Sequence, residues 1–481
     1  MDEKGDISDR MEIELNKKNF SEWYNDVIKF AGLCDKRYPI KGMNVWTPYG
    51  WKIMRLIDSH IRDELDGTGH GEVNFPLLIP NSEFQKEADH IKGFDSQVYW
   101  VTRGGLNELD VPMVLRPTSE TAMYPMFSLW VRSHTDLPLK TYQIVNTFRY
   151  ETKQTRAFIR VREIHFFEAH TCHADFEDAE RQIKEDLEIM DRLSNKLCIP
   201  YLKRKRPEWD KFAGADYTIG IDCFMPDSKT LQLGSIHQYR TNFSVPYDIK
   251  YETPEGDHKN VYQTTYGMSE RLVGAIVGIH GDNRGLIIPP DVAPFQVVIV
   301  PILMKKRKDD ILEKAEWIRN ELIKAGFRVE MDARDIRPGN KFYHWELKGV
   351  PLRIEVGPRD VDSGHAVVVR RTDRAKRTVK FEDLVDGVVQ ELDEVKKQLY
   401  ERAKDLMKSN THNVTFADEA YNVGRGLINV GWCGNEDCST EMETTLDMSM
   451  LGIDTTTGTY DGKCGQCGSP TKMLVTYAKT Y

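Results

Sequence analysis

Two rhythms of apolar positions divide the chain. Over residues 20–34 and 50–65 apolar residues recur every three or four positions, the second set placing Met54, Ile57, Ile61 and Leu65 on one face. That spacing predicts two amphipathic helices. GEVNFPLLIP (71–80) reads as a buried strand that stops at proline. From 141 to 171 the pattern turns β-rich: TYQIVNTFRYE, a polar turn and IRVREIHFFEAHT predict two antiparallel strands joined by a long basic loop. Residues 175–197 predict a helix, and LQLGSIHQ (231–238) and NVYQTTYG (260–267) predict strands. SERLVGAIVGIH (269–280) predicts a helix with Ser269 as its N-cap.

Prolines crowd LIIPPDVAPF (286–295) and mark a boundary. Beyond it PFQVVIVPI, FRVEMDA, PLRIEVG and HAVVVRR read as strands, and DDILEKAEWIRNELIKAG and NKFYHWELKG as helices. This βαβ rhythm predicts a small, mainly parallel sheet of about 100 residues. A long charged helix over about 381–408 then leads into a cysteine-bearing tail.

The 481 residues suit about three domains. Composition, 40% apolar and 29% charged, is that of a soluble globular protein. A net charge of −9 argues against a general nucleic-acid coat, so any contact with a polyanion must be local. MDEKGDISDR has no apolar core for a signal peptide, and the longest apolar run is about VVIVPILM, which predicts a cytoplasmic protein without a membrane span. Of eight cysteines, Cys34, Cys172, Cys198 and Cys223 are scattered, whereas Cys433-x4-Cys438 and Cys464-x2-Cys467 stand 25 residues apart. In a reducing compartment that pattern predicts structural Zn²⁺, and four thiolates leave no open position for a zinc-dependent hydrolase.

Within the acidic whole, FRYETKQTRAFIRVRE (148–163) is locally basic, with Arg149, Lys153, Arg156, Arg160 and Arg162 beside Glu151 and Glu163. Strand alternation would put Arg149 and Glu151 on one face, and likewise Arg160 and Arg162, a set of guanidinium forks suited to phosphate. By itself the stretch also fits a surface hairpin laced with ion pairs, each contributing about 0–1 kcal/mol. In YGMSERLVG (266–274), Arg271 stands at the positive end of a helix, where it disfavours the helix unless an anion docks; a solvent-facing arginine is the alternative. LRPTSET (115–121) offers Thr118 and Glu120, and LQLGSIHQ offers Gln232, Ser235 and His237, although a lone histidine is commonly structural.

The order of these pieces resembles a known family. Pro76 after a helix and strand, FRYE–loop–RVRE and GMSERL resemble motifs 1, 2 and 3 of class II aminoacyl-tRNA synthetases. YPIKGMNVWTPYG, LRPTSETAMYPMF, EAHT, FAGADYTIGIDCFMPDSKTLQLGSIHQ, HGDNRGLIIPP and ELKGVPLRIEVGPRD resemble, more narrowly, prolyl-tRNA synthetases of the archaeal and eukaryotic type. The resemblance covers nearly the whole chain. It implies an α+β architecture: a class II antiparallel-sheet catalytic domain (1–288), an α/β anticodon-binding domain (289–400) and a small zinc-binding α+β C-terminal domain (401–481).

It also implies roles. The substrates would be L-proline, ATP with Mg²⁺, and tRNA(Pro), and motif 1 would form a homodimer. Arg149 would bridge the α-phosphate and the amino acid carboxylate, Glu151 and Arg160 would grip the nucleotide, Gln232 and Ser235 would touch ATP, and Arg271 would hold the far end of the triphosphate. Arg149 and Arg271 would be the catalytic pair. Thr118 and Glu120 would accept the secondary ammonium of proline, with Phe166, Glu168, His170, His237 and Ser269 lining the pocket. Lys153 and Arg156 would face the tRNA acceptor end, and Arg334, Lys341 and Glu346 the anticodon. The terminal carboxylate of Tyr481 would reach toward the catalytic domain. The family's usual phenylalanine after the RE of motif 2 is replaced by Ile164.

Only about 98 residues separate Glu168 from Gly267, which leaves no room for a long editing insertion. A proline-sized pocket rejects smaller molecules by only about 1–3 kcal/mol per methylene, so misactivation of alanine and cysteine is expected. Within the class, a threonyl or seryl enzyme is disfavoured by the Thr118/Glu120 pair and by the lack of zinc ligands at the catalytic site. A non-charging paralogue that binds tRNA is disfavoured by the intact Arg149, Glu151 and Arg271.

Overall fold

The computed structural model describes residues 15–86, 96–455 and 460–481. The N-terminal stretch expected to carry no signal peptide lies outside them.

Helix α1 (Phe20–Phe30) is shorter than expected, because Cys34–Asp35 leaves it to pair with Val45–Trp46. Helix α2 (Pro48–Gly67) starts on Thr47, whose hydroxyl accepts from Gly50 N, with Pro48 in the first turn. It buries Met54, Ile57, Ile61 and Leu65 as the spacing requires. Residues 71–80 are a correction: they form two short, mostly exposed strands, Gly71–Glu72 and Leu78–Pro80, rather than one buried strand. Pro76 between them has no N–H to give to a ladder.

Next come α3 (Glu120–Trp130), the hairpin strands β1 (Leu139–Phe148) and β2 (Glu163–His173), α4 (Phe176–Leu197), β3 (Leu202–Lys205), β4 (Tyr217–Phe224), β5 (Lys229–Arg240), β6 (Tyr262–Ser269) and α5 (Arg271–His280). The strands pair in the order β3-β4-β5-β6-β2-β1, every neighbour antiparallel. Inward residues such as Phe167, Ile236 and Tyr266 pack one face against Val27, Ile57, Leu193 and Ile276 from α1, α2, α4 and α5. Alternation turns the neighbours of those residues to the opposite face. Ser269 closes β6 instead of capping the helix; Glu270 takes the cap position, and Arg271 N donates to Ser269 Oγ at 3.4 Å.

The following unit comprises β7 (Val297–Pro301), α6 (Lys308–Lys324), β8 (Val329–Met331), α7 (Pro338–Lys348), β9 (Leu352–Val356), β10 (His365–Arg370), β11 (Lys376–Lys380) and α8 (Leu384–Ser409). The strand order is β8-β7-β9-β10-β11, with β7 parallel to β8 and β9, and the β9–β10 and β10–β11 pairs antiparallel. The sheet is therefore mixed rather than mainly parallel. Only residues 357–364 join β9 to β10, too few for the crossover a parallel pair needs.

The tail adds β12 (Thr411–Asn413), β13 (Leu427–Trp432), α9 (Glu436–Leu446), β14 (Ser449–Asp454) and β15 (Met473–Thr480). These strands are not a separate sheet. They continue the antiparallel one in the order β12-β13-β15-β14-β3, and with Gly71–Glu72 beyond β1 the sheet has 11 strands among the described residues. At the junction Ile453 pairs with Lys205 and Asp454 with Arg204, and β15 touches β5 at Thr480–Thr230. Two buried arginines stitch the seam. Arg204 meets Asp454 at 3.1 Å and Thr476 Oγ1 at 2.8 Å, while Arg206 donates to both oxygens of Asp222 at 2.9 Å and to Leu451 O at 2.6 Å. Among the described residues no helix is long and apolar enough to cross a membrane.

Candidate active site

The outward face of the sheet carries two rows of side chains in register. One row runs Thr141, His170, Thr265, His237, Thr218 across β1, β2, β6, β5 and β4, and the next runs Gln143, Glu168, Gly267, Ser235, Gly220. From these rows Glu168, His170, Thr218, Ser235, His237, Thr265 and Gly267 floor a cavity of about 270 Å³. Thr118, Glu120, Arg149, Glu151, Arg160, Phe166, Glu168, His170, Gln232, Ser235, His237, Ser269 and Arg271 all line it. All the residues singled out from sequence for the catalytic, amino-acid and nucleotide sites thus meet in one cleft.

Two local devices make this possible. Gln232 and Ser235 are three apart and would face opposite ways in a regular strand, but the β4–β5 register skips Leu233, a bulge that returns both to the cleft. Gly234 permits the close approach of β6 there, since a Cβ would lie 2.3 Å from Gly267 O.

At one end of the cleft Glu120 begins α3, and its carboxylate is held at both oxygens. Thr118 Oγ1 donates to Oε2 at 2.5 Å and Tyr239 to Oε1 at 2.9 Å. Behind it Glu168 accepts from the hydroxyl of Ser119, from Gln143 Nε2 at 2.9 Å and from His170 Nε2 at 3.2 Å. Burial opposes the charge on Glu168, but His170, Ser119 and Gln143 hold its carboxyl below the usual range. His237 sits between Thr218 Oγ1 at 2.8 Å and Ser235 Oγ at 2.9 Å, and burial pulls it down to about 3, so it is neutral near pH 7.

The other end is cationic. Burial first, then repulsion from Arg149 and Arg160, pulls Arg271 down to about 10. Its Nε donates to Ile159 O at 2.9 Å and its Nη1 to Gln232 O at 3.1 Å. Burial likewise lowers Arg149, offset by Glu120, Glu151 and Glu168. Three guanidiniums gathered so closely are costly unless an anion joins them.

Several expectations need correction. Arg149, Glu151, Arg160 and Arg162 lie beyond the ends of β1 and β2, so loop contacts rather than strand alternation position them. Arg160 reaches Glu151 at 3.4 Å, and Arg162 donates to Glu151 O at 3.0 Å and lies over the Tyr150 ring at 4.7 Å. Arg156 is half-buried and lies against Ser21, Tyr24 and Tyr481. Lys341 is only 1% exposed and its ammonium donates to Asp332 O at 2.9 Å, which removes it from any surface contact. Glu346 is largely covered and accepts from Arg284 at 2.9 Å and Arg353 at 3.1 Å. Arg334 is exposed beside Asp332, and Lys153 is exposed.

Sequence reasoning missed Ser119, Gln143, Thr218 and Tyr239. Ser119 was within reach as the residue between Thr118 and Glu120; the others depend on cross-strand register. Tyr481 packs against the core beneath the antiparallel sheet, its hydroxyl 2.9 Å from Asp227 Oδ2.

In the tail the sulfurs of Cys433, Cys438, Cys464 and Cys467 lie within 4.8 Å of one another, with Cys433 and Cys467 at 3.9 Å. A tetrahedral site with Zn–S bonds of about 2.3 Å has edges of about 3.8 Å, so the donor set fits zinc.

An antiparallel sheet with this anion-ready cleft defines a class II aminoacyl-tRNA synthetase. The model of the tRNA synthetase class II core domain (G, H, P, S and T) matches residues 99–280, an anticodon binding domain matches 296–391, and a prolyl-tRNA synthetase C-terminal domain matches 417–481. A proline–tRNA ligase of Thermococcus kodakarensis is 56% identical, with 98% of this chain and 100% of that relative covered, and one of Methanosarcina mazei is 49% identical over 97% and 98%. Prolyl-tRNA synthetase of Giardia lamblia in complex with prolyl-adenylate superposes with a TM-score of 0.94 at 37% identity, covering 98% of this chain and 99% of that one. The Cryptosporidium parvum enzyme complexed with halofuginone and AMPPNP gives 0.92 at 31%, covering 97% and 99%. The chain belongs to the proline–tRNA ligase family.

Proposed function

We propose that the chain activates L-proline with ATP to prolyl-adenylate, releases pyrophosphate, and transfers the prolyl group to the 3′ end of tRNA(Pro). The observation that carries this is one cavity holding the Thr118–Glu120 pair at one end and Arg149, Arg160 and Arg271 at the other. The carboxylate of Glu120 receives the secondary ammonium of proline, with Phe166, Glu168, His170, His237 and Ser269 around it. A carboxylate oxygen of proline attacks the α-phosphorus in line, and the bond to the β-phosphate oxygen breaks as pyrophosphate leaves. Arg149 spans both reactants and stabilises charge that builds on the α-phosphate. Glu151, Arg160, Gln232 and Ser235 hold the nucleotide, Arg271 takes the far phosphates, and Mg²⁺ accompanies ATP as its counter-ion.

Catalysis is assigned to residues 1–288, anticodon binding to 289–400 with Arg334 as a contact, and structural Zn²⁺ to 401–481 through the four cysteines. Lys153 is assigned to the tRNA acceptor end. A homodimer is supported by Leu77, Leu78, Leu129 and Trp130, which are exposed on and beside the motif 1 segment. The working compartment is the cytoplasm. With no editing insertion, alanine and cysteine are misactivated. Amino-acid-dependent pyrophosphate exchange with each of the 20 amino acids tests the reading: proline should dominate, with alanine and cysteine above background. Exchange with none of them would instead favour a non-charging paralogue.

A further inference from the structure

Arg156 lies in the loop between β1 and β2, yet its side chain faces the protein. Its Nη2 donates to Ser21 Oγ at 2.6 Å, and its guanidinium carbon is 5.8 Å from the ring centre of Tyr24 and 5.7 Å from that of Tyr481. Its backbone forms a bridge with Arg160: Arg156 N donates to Arg160 O, and Arg160 N to Arg156 O, both at 2.9 Å. Within this turn Ile159 O receives Arg271 Nε at 2.9 Å, and Phe158 has φ 60°. A phenylalanine in the left-handed region is costly unless its surroundings hold it. Those surroundings are the Trp46 ring, 4.6 Å from that of Phe158, and Tyr24, whose hydroxyl donates to Ala157 O at 3.0 Å; Arg156 closes the turn through its backbone bridge and seats its side chain on the same Tyr24. Tyr481 is itself fixed by Tyr481 N to Thr230 O at 3.2 Å and by its hydroxyl to Asp227.

We infer that Arg156 is a positioning residue for the nucleotide site: clamped between Tyr24 and Tyr481, it holds the 156–160 turn that aims Arg160 and supports Arg271. This rests on the assignment of Arg160 and Arg271 to ATP.

The test is proline-dependent pyrophosphate exchange without tRNA, using R156M, Y481L, the double variant and Y481F. Loss of one stacked face should raise KM for ATP about tenfold, with kcat and KM for proline within about twofold. The double variant should be no worse than R156M alone, and Y481F, which keeps the ring but loses the Asp227 anchor, should fall between wild type and Y481L. Amide hydrogen exchange at Ile159 and Arg160 should accelerate in R156M and Y481L in the ligand-free protein. An unchanged KM for ATP, effects that multiply in the double variant, or unaltered amide exchange each overturn the inference. So does an R156M defect that is absent from exchange and shows only as a raised KM for tRNA in a parallel aminoacylation assay. If the wild type shows no proline-dependent exchange, the functional assignment fails, whereas the amide measurement still decides whether Arg156 and Tyr481 hold the turn.

Discussion

Tyr239 donates its hydroxyl to Glu120 Oε1 at 2.9 Å and receives Thr265 Oγ1 at 3.1 Å. With Thr118 on the other oxygen, Glu120 is fixed on both sides before substrate arrives. Tyr239→Phe keeps the ring and deletes the donor. Hydrogen bonds to charged groups contribute about 1.5–3 kcal/mol, so KM for proline should rise about tenfold or more while KM for ATP holds. Equal rises in both, measured by pyrophosphate exchange, would mean that Tyr239 acts on the whole cleft.

Arg271→Ala removes the guanidinium that Arg149 and Arg160 crowd. Loss of one preorganised charge contact in such a site typically costs about 10²–10³ in rate, and kcat/KM for ATP should fall by that order. Proline binding, measured directly by calorimetry, should change little.

At the seam between β3 and β14, the Arg204 and Asp454 side chains are 6% and 5% exposed. Asp454→Ala strands a buried guanidinium, and urea unfolding should show a loss of about 3–5 kcal/mol. The paired change Arg204→Met with Asp454→Leu should recover most of it. Failure to recover would place the loss elsewhere than in the unpaired charge.

The four-cysteine site should hold one zinc per chain by atomic absorption, and Cys464→Ser should abolish it. Because β15 starts six residues after Cys467 and pairs with both β13 and β14, melting should begin in the tail and lower the whole thermal transition. A zinc-free variant with an unchanged transition would argue that the metal is dispensable for folding.

Asp186, buried on α4 with Gln182 Nε2 at 2.9 Å, is pushed by burial up to about 8. Its folded value exceeds the unfolded one, so its contribution is complete below about pH 4 and is lost as pH rises toward 8. Asp186→Asn should flatten that decline and be more stable than the wild type at pH 8.5. Parallel stability curves for the two proteins would remove Asp186 as the cause.

Much of the catalytic unit was legible because its signals are local. The apolar stripe of α2, the basic turn between β1 and β2, and the Thr118, Glu120 and Arg271 positions each sit in a short stretch whose chemistry is unusual for its surroundings. The partners Gln143 and Thr218 were not legible, since a polar residue on a strand gains meaning only from the residue opposite. Lys341 and Arg156 misled for a related reason: a cation in a polar stretch looks solvated until its long stem finds a buried acceptor or an aromatic ring. The continuity of the tail with the catalytic sheet left no local trace, because β3 and β14 lie about 250 residues apart and neither strand is unusual in itself.

That continuity sets a timetable for synthesis. When residues 1–288 have left the ribosome, β3 is a bare sheet edge, and it stays so until β14 is made. Unpaired edges invite pairing with other chains. The nascent protein therefore carries an exposed strand through the making of its entire anticodon unit, and premature stops in that interval release chains primed to aggregate rather than shortened enzymes.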